Sequence, residues 1–310
     1  MQFRLHPLRF SFLARESIHF PEGKSANILR GAFGTIFRRI VCVPQCTGVQ
    51  CEWRASCPYA RVFEPSATGP GPSGLADWPR PFVFRAMHLD GSTFAAGSQF
   101  YFDLNLFDTE TPAIAYLVAT FAQLAREGLG PGRRKVELTS VTLLSELGDP
   151  SATIYENGSM TVRQNIRPLE LNLSSIEVPI TRLRVQFVTP TELKSGQQIT
   201  ATPEFGILAA RARDRIGTLR ELYGGGPLDI DFRGFGQRAA AVRMTRCEIR
   251  GVDLMRRSSR TGQVYPIGGF VGEADYEGEL AEFVPYLRAA KWTGVGRQTV
   301  WGKGEISLHA

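Results

Sequence analysis

Residues Thr181 to Lys194 read TRLRVQFVTPTELK. Leu183, Val185 and Phe187 alternate with Arg182, Arg184 and Gln186, the period of two that marks a strand with one buried face. Downstream the period turns helical, from about Glu204 to Tyr223, and the triplet Gly224, Gly225, Gly226 stops it. Two strands follow, about 239–256 and 262–276, joined by a turn around SSRTGQ. A helix from Gly278 to Ala290 and a final strand complete the run. What makes this stretch decisive is that the same order has already been used once.

Upstream, Phe3, Leu5, Phe10 and Phe12 fit a first strand with a break near Pro7. A helix begins at Ser25, where Ile28, Leu29, Ala32, Phe33, Ile36, Phe37, Ile40 and Val41 recur at helical spacing. Ser98 to Phe107 alternates as a strand, Pro112 opens a second helix that Gly128 stops, and Arg134 to Leu147 reads as strand. Short strands continue to about residue 175. Each half therefore reads as strand, helix, two strands, helix, strand. The expectation is an α+β chain of two tandem ferredoxin-like (RRM-like, βαββαβ) domains. The first spans 1–175 with a Cys-rich insertion at about 42–60, and the second spans 176–310. Sheet faces of this fold are a common platform for single-stranded RNA.

Composition narrows the class. The 310 residues are 43% hydrophobic, with no run of 18 apolar residues, and the opening MQFRLHPLRF lacks the apolar core of a signal peptide. The expected location is cytoplasmic, with no membrane partner. Net charge is +6, and of 36 basic residues only five are lysine. Arginine's planar fork suits bidentate contacts to phosphate and stacks on bases, although a GC-rich genome enriches arginine everywhere. The balance points toward a nucleic-acid partner.

Four of the five cysteines, Cys42, Cys46, Cys51 and Cys57, fall within 16 residues. In a reducing compartment such a cluster reads as a metal site before a disulfide. Four thiolates suit a structural zinc that closes a small loop with too little core of its own. Cys57-Pro58 also ends some iron–sulfur runs, which makes a cluster the alternative.

Near the C-terminus stands GVGRQTVWGKG, Gly294 to Gly304. A dinucleotide loop needs a helix after its glycines, and Val300, Trp301 and Ile306 read as strand instead. No Gly-Lys-Ser/Thr follows, so a Walker loop is excluded too. The remaining uses are close backbone packing and an anion-binding concavity of bare amides.

The tract from Gly268 to Leu308 resembles the C-terminal domain of the CRISPR repeat-processing endoribonucleases of the RAMP superfamily. It carries their Gly-x-Gly, five residues, Gly-x-Gly ending in full: Gly294, Gly296, Gly302, Gly304. Gly269-Phe270-Val271-Gly272, Thr189-Pro190-Thr191 and Leu29-Arg30-Gly31-Ala32-Phe33-Gly34 are similar to the family as well. The resemblance implies two ferredoxin-like domains with the glycine-rich loop packed between them, near the RNA backbone. It implies RNA contacts at Gly294, Gly296, Arg297, Gly302, Lys303 and Gly304. Arg246 and Arg250, on one face of a strand, read alone as a solvated hairpin. Joined to the resemblance they become a grip on CRISPR repeat RNA. Subunits of a CRISPR effector complex are the further partners implied.

The family's chemistry is metal-independent: a 2′-hydroxyl attacks the adjacent phosphate, leaving a cyclic phosphate and a 5′-hydroxyl, with no catalytic cofactor. This needs a base and acid near neutrality and cations around the phosphorane. The four histidines are His6, His19, His88 and His309. His19 lies between first strand and first helix, where the family often carries its catalytic histidine, and Lys24 could stabilise charge. Many relatives place histidine directly after Leu-Arg-Gly-Ala-Phe-Gly, and here that position is Thr35. The reading is an endoribonuclease that makes guide RNAs. The alternative, which Thr35 favours, is a non-catalytic RNA-binding subunit.

Overall fold

A computed structural model describes residues 1–42, 51–54, 56–65, 78–110, 112–257 (backbone alone at 256 and 257) and 262–309. Contacts divide the chain into two compact units: Arg4–Leu169, and Met1–Phe3 together with Glu170–Ala310. The division falls just before the expected residue 175. The amide of Leu173 donates to the Met1 carbonyl (2.9 Å), which ties the first residues to the second unit.

The N-terminal unit is built from β1 (Gln2–Ala14), α1 (Ser25–Val41), β3 (Phe82–Arg85), β5 (Gln99–Leu106), α3 (Ile114–Glu127) and β6 (Val136–Leu144). Between them lie a small ladder of β2 (Ile18–His19) with β4 (Thr93–Phe94), and the short helix α2 (Pro58–Phe63). The main sheet runs β3-β5-β1-β6, antiparallel throughout, and β7 (Pro150–Glu156) extends the β6 edge. A βαββαβ unit with this strand order is ferredoxin-like. Phe10, Phe84 and Phe102 on the sheet meet Phe33 of α1 or Phe121 of α3, and Phe12 stacks on Phe102, all essentially solvent-free. Phe33 and Phe121 stack with centroids 5.3 Å apart. Gly34 admits Phe63 of α2, whose ring edge stands 2.9 Å from where a Cβ would be.

The expected break at Pro7 does not occur, and β1 runs through it. Pro7 pairs with Asn105 of β5, while pairing with β6 starts only at Leu8. A missing N–H is tolerated where one side of the strand has no ladder. A short strand, β8 (Leu169–Asn172), also pairs with β1.

The C-terminal unit repeats the plan with β9 (Arg182–Thr191), α4 (Phe205–Tyr223), β12 (Arg243–Val252), β15 (Gly269–Glu277), α6 (Val284–Thr293) and β16 (Ile306–His309). A two-residue hairpin ladder, β10 (Lys194–Ser195) with β11 (Gln198–Ile199), separates β9 from α4. Sheet order is β12-β15-β9-β16, again antiparallel. Leu183, Val185 and Phe187 face the helices as their alternation requires. Buried Tyr276 donates its hydroxyl to the Pro203 carbonyl (2.7 Å), and burial pushes its pKa far up.

Three features depart from the sequence reading. A helix, α5 (Phe232–Ala241), precedes β12, its N-terminus capped by Asp231, which accepts from the Gly234 amide (2.9 Å). The helix expected from Gly278 starts only at Val284, where Pro285 takes the first turn. The paired strands from 239 to 276 break into β12–β15 and a separate short pair, β13 (Met255–Arg257) with β14 (Val264–Pro266). Most of the expected SSRTGQ turn lies outside the described residues. No helix among the described residues is long and apolar enough to cross a membrane.

Candidate nucleic-acid interface

The glycine loop shows what its glycines are for. All four have positive φ: 73° at Gly294, 74° at Gly296, 77° at Gly302 and 69° at Gly304. The Val295 amide donates to the Gly304 carbonyl (2.8 Å), closing the loop upon itself. The Arg297 amide donates to Glu192 (3.0 Å) and the Gly304 amide to Pro190 (3.1 Å), fastening it to the end of β9. A Cβ at Gly296 would overlap the Glu192 carbonyl oxygen, and one at Gly304 would overlap that of Val295. Thr189-Pro190-Thr191 thus serves as the wall the loop leans on: the Thr189 hydroxyl accepts from the Glu305 amide (2.9 Å).

Several loop amides are therefore spent inside the protein, and what faces solvent differs from residue to residue. Arg297 is exposed and its guanidinium pairs with the Glu192 carboxylate. Lys303 is buried. Gln298, at φ 63°, occupies a left-handed conformation that usually calls for glycine or asparagine, and its amide nitrogen donates to Pro266 (3.0 Å) beside the β13–β14 pair.

The open face of the C-terminal sheet carries the expected arginines in a lattice of opposite charge. Arg184 grips Asp275 (2.7 and 3.0 Å), and Arg182 meets Glu277 (3.1 Å). Arg246 meets Glu248 (2.8 and 2.5 Å) and Glu273 (2.9 Å). Hydrogen bonding to Glu248 raises the Arg246 pKa, and hydrogen bonding to Arg184 lowers that of Asp275. Arg250 shares this face and is exposed, with no ion pair among the described residues. A bulge between Met244 and Arg246 precedes both arginines, so they remain on one side.

In the N-terminal unit His19 sits in the β2–β4 ladder. Ile18 and Phe20 are fully buried on either side of it, so alternation turns the imidazole outward. Its Nδ1 lies 2.9 Å from the Thr93 hydroxyl. Lys24, exposed, immediately precedes α1. The first amide of α1, from Ser25, donates to the Asp90 carboxylate (2.9 Å). Thr35 points outward on α1, its hydroxyl donating to Gly31 (3.3 Å).

The other histidines have occupations of their own. His6 is buried, and loss of hydration lowers its pKa to about 4 against the opposing pull of Asp108. His88 stacks on Tyr101 (4.5 Å) and donates from Nε2 to that residue's carbonyl (2.8 Å). It lies on a short 3₁₀ turn. His309 is paired in β16 opposite Arg184, with its Nε2 3.0 Å from the Ser307 hydroxyl.

Of the cysteine quartet, Cys46 lies outside the described residues. Cys42 ends α1, Cys51 falls in a turn, and Cys57 precedes α2. Among the described residues no three His, Cys, Asp or Glu side chains group as a metal site.

A family model described as CRISPR-associated endoribonuclease Cas6 matches residues 185–306, and one described as an N-terminal domain matches residues 3–167. Residues 185–306 therefore form a Cas6-family domain. Among solved Cas6 structures, that of Thermus thermophilus Cas6 has 14% identity and a TM-score of 0.53, covering 99% of this chain and 98% of that one. A product complex of the same Cas6 has 16% identity and a TM-score of 0.57, covering 98% and 100%. A partial Cas6-RT-Cas1–Cas2 complex has 10% identity and a TM-score of 0.55, covering 99% of this chain and 46% of that one. These likenesses show the Cas6 fold of tandem ferredoxin-like domains. No curated protein sequence matches the chain.

Proposed function

We propose that the whole chain is a Cas6 protein, and that it binds CRISPR repeat RNA and cuts it by metal-independent attack of a 2′-hydroxyl on the adjacent phosphate, producing guide RNAs. The observation that carries the catalytic part is the placement of His19. It is exposed, its ring is oriented by a hydroxyl, and its segment is pinned by two buried neighbours. With Thr93 at Nδ1, the Nε2 edge is the one left to move a proton. A neutral ring takes the proton of the attacking 2′-hydroxyl, and an imidazolium returns one to the leaving 5′-oxygen. Lys24 adds a cation for the phosphorane.

The glycine loop and Arg250 are the RNA contacts this reading places on the C-terminal unit, with Arg246 contributing only as Glu248 and Glu273 release it. CRISPR complex subunits are the further partners, a reading supported by the match to a Cas6-containing complex. The four cysteines are read as a structural zinc site, with an iron–sulfur cluster as the alternative.

A second reading has its own observation. Thr35 stands directly after Leu29–Gly34, and its hydroxyl is turned back onto its own helix. That favours an RNA-binding subunit that does not cut. Single-turnover incubation with the genome's own repeat RNA in EDTA separates the two: cleavage supports the nuclease, and tight binding without cleavage supports the subunit.

A further inference from the structure

We propose that Glu273, Asp275 and Glu277 on β15 close the open face of the C-terminal sheet to RNA, so that single strands without the repeat find no phosphate platform there. This role rests on the RNA reading above and gives that reading a source of selectivity.

β15 lies between β12 and β9 in the sheet. The two flanking strands carry five arginines, Arg182 and Arg184 on β9 and Arg243, Arg246 and Arg250 on β12. Alternation puts the three carboxylates on one face of β15, because Ala274 and Tyr276 between them are fully buried. Register then sets Asp275 beside Arg184, and Glu277 between Arg182 and Arg243. An acidic strand divides two basic ones.

Each carboxylate holds two arginines. Glu277 reaches Arg182 (3.1 Å) and Arg243 (3.5 Å). Asp275 takes Arg184 on both oxygens (2.7 and 3.0 Å) and stands 3.9 Å from Arg246. Glu273 meets Arg246 (2.9 Å) and Arg184 (3.7 Å). Four of the five arginines are thus answered from β15, and Arg250 alone has no ion pair among the described residues.

A phosphate arriving at Arg184 or Arg246 replaces one anion by another. It gains little neutralisation, releases few counterions, and leaves a displaced carboxylate against the RNA backbone. The face gives bases no ring either: charged residues and Gln186 stand where an RNA-binding sheet of this kind displays aromatics. Repeat RNA, held at the glycine loop and Arg250, does not need this surface. An unspecific single strand does.

The test is fluorescence anisotropy of labelled oligouridylate and of repeat RNA with full-length protein at several salt concentrations. Glu273→Gln with Asp275→Asn should bind oligouridylate about three- to tenfold more tightly at low salt, the scale of two exposed charge contacts. The salt slope should steepen by about 1.4, at roughly 0.7 per phosphate on a single strand. Repeat RNA should gain less, so discrimination falls. Glu277→Gln, which frees Arg182 and Arg243, should act in the same direction. Glu273→Asp with Asp275→Glu keeps the charges and should keep wild-type discrimination.

Unchanged oligouridylate affinity in both neutralised variants would overturn the proposal, as would equal gains for the two RNAs. So would the same gain from Glu170→Gln with Glu221→Gln, exposed carboxylates elsewhere whose loss alters net charge equally. A wild type that binds no repeat RNA would count against the RNA reading, whereas the oligouridylate gain on neutralisation still tests β15 by itself.

Discussion

Val295 and Gly304 are joined across the glycine loop: the amide of the first donates to the carbonyl of the second at 2.8 Å, and no Cβ fits at Gly304. The family's double Gly-x-Gly is thus first a packing device, in which four left-handed residues fold the chain against itself and against β9. Gly304→Ala should lower stability by more than the roughly 1–2 kcal/mol of the left-handed conformation alone, since the Val295 backbone must also move. Gly31→Ala makes the matched control: it lies exposed in α1 with nothing within 4 Å of the added methyl. It should stabilise by about 0.5–1 kcal/mol. Denaturant titration of both variants checks the pair.

Acid should weaken the fold through His6. Its pKa in the folded state is about 4, below the ordinary 6.5, because burial disfavours the charged ring. The unfolded chain therefore binds more protons between these values, and stability falls as pH drops through that window. The slope is up to about 1.4 kcal/mol per pH unit. Comparing denaturation at pH 7 and pH 5 for the wild type and His6→Gln tests this. An identical pH dependence in both would remove His6 as its source.

The strand alternation at 181–194, the periodicity from Ser25 and the repeated element order were enough to read two ferredoxin-like units from sequence. Two things were not legible. Helix α5 contains Gly234 and Gly236, which dilute its periodicity, and only the cap at Asp231 signalled it. The ion pairing of the arginine face was hidden because Glu273, Asp275 and Glu277 stand on β15 and meet the arginines of β9 and β12 only after register is set. His19 was visible as a histidine, but its partner Thr93 is 74 residues away and no local pattern links them.

RNA binding should discriminate between the two arginines. Arg250→Ala should weaken affinity for repeat RNA more than Arg246→Ala, because Arg246 already satisfies two carboxylates. Affinity should fall steeply with salt, with the slope reduced by about one for each phosphate contact removed. Filter binding at several salt concentrations measures both. Equal effects would show that the carboxylates do not hold Arg246 back.

Protein purified without chelator should carry about one zinc, or one coloured cluster, per chain if Cys42, Cys46, Cys51 and Cys57 act together. Elemental analysis with native thiol alkylation decides it. Metal-free protein with all four thiols reactive would contradict the assignment.

The most direct test of the central claim is the single-turnover cleavage rate of repeat RNA in EDTA, for wild type and His19→Ala. A positioned acid or base contributes about 10²–10⁴-fold, so the variant should be slower by that order at nearly unchanged RNA affinity. The wild-type upstream product should end in a 2′,3′-cyclic phosphate. Full activity in His19→Ala would contradict the catalytic assignment, and tight binding without cleavage by the wild type would contradict the nuclease reading itself.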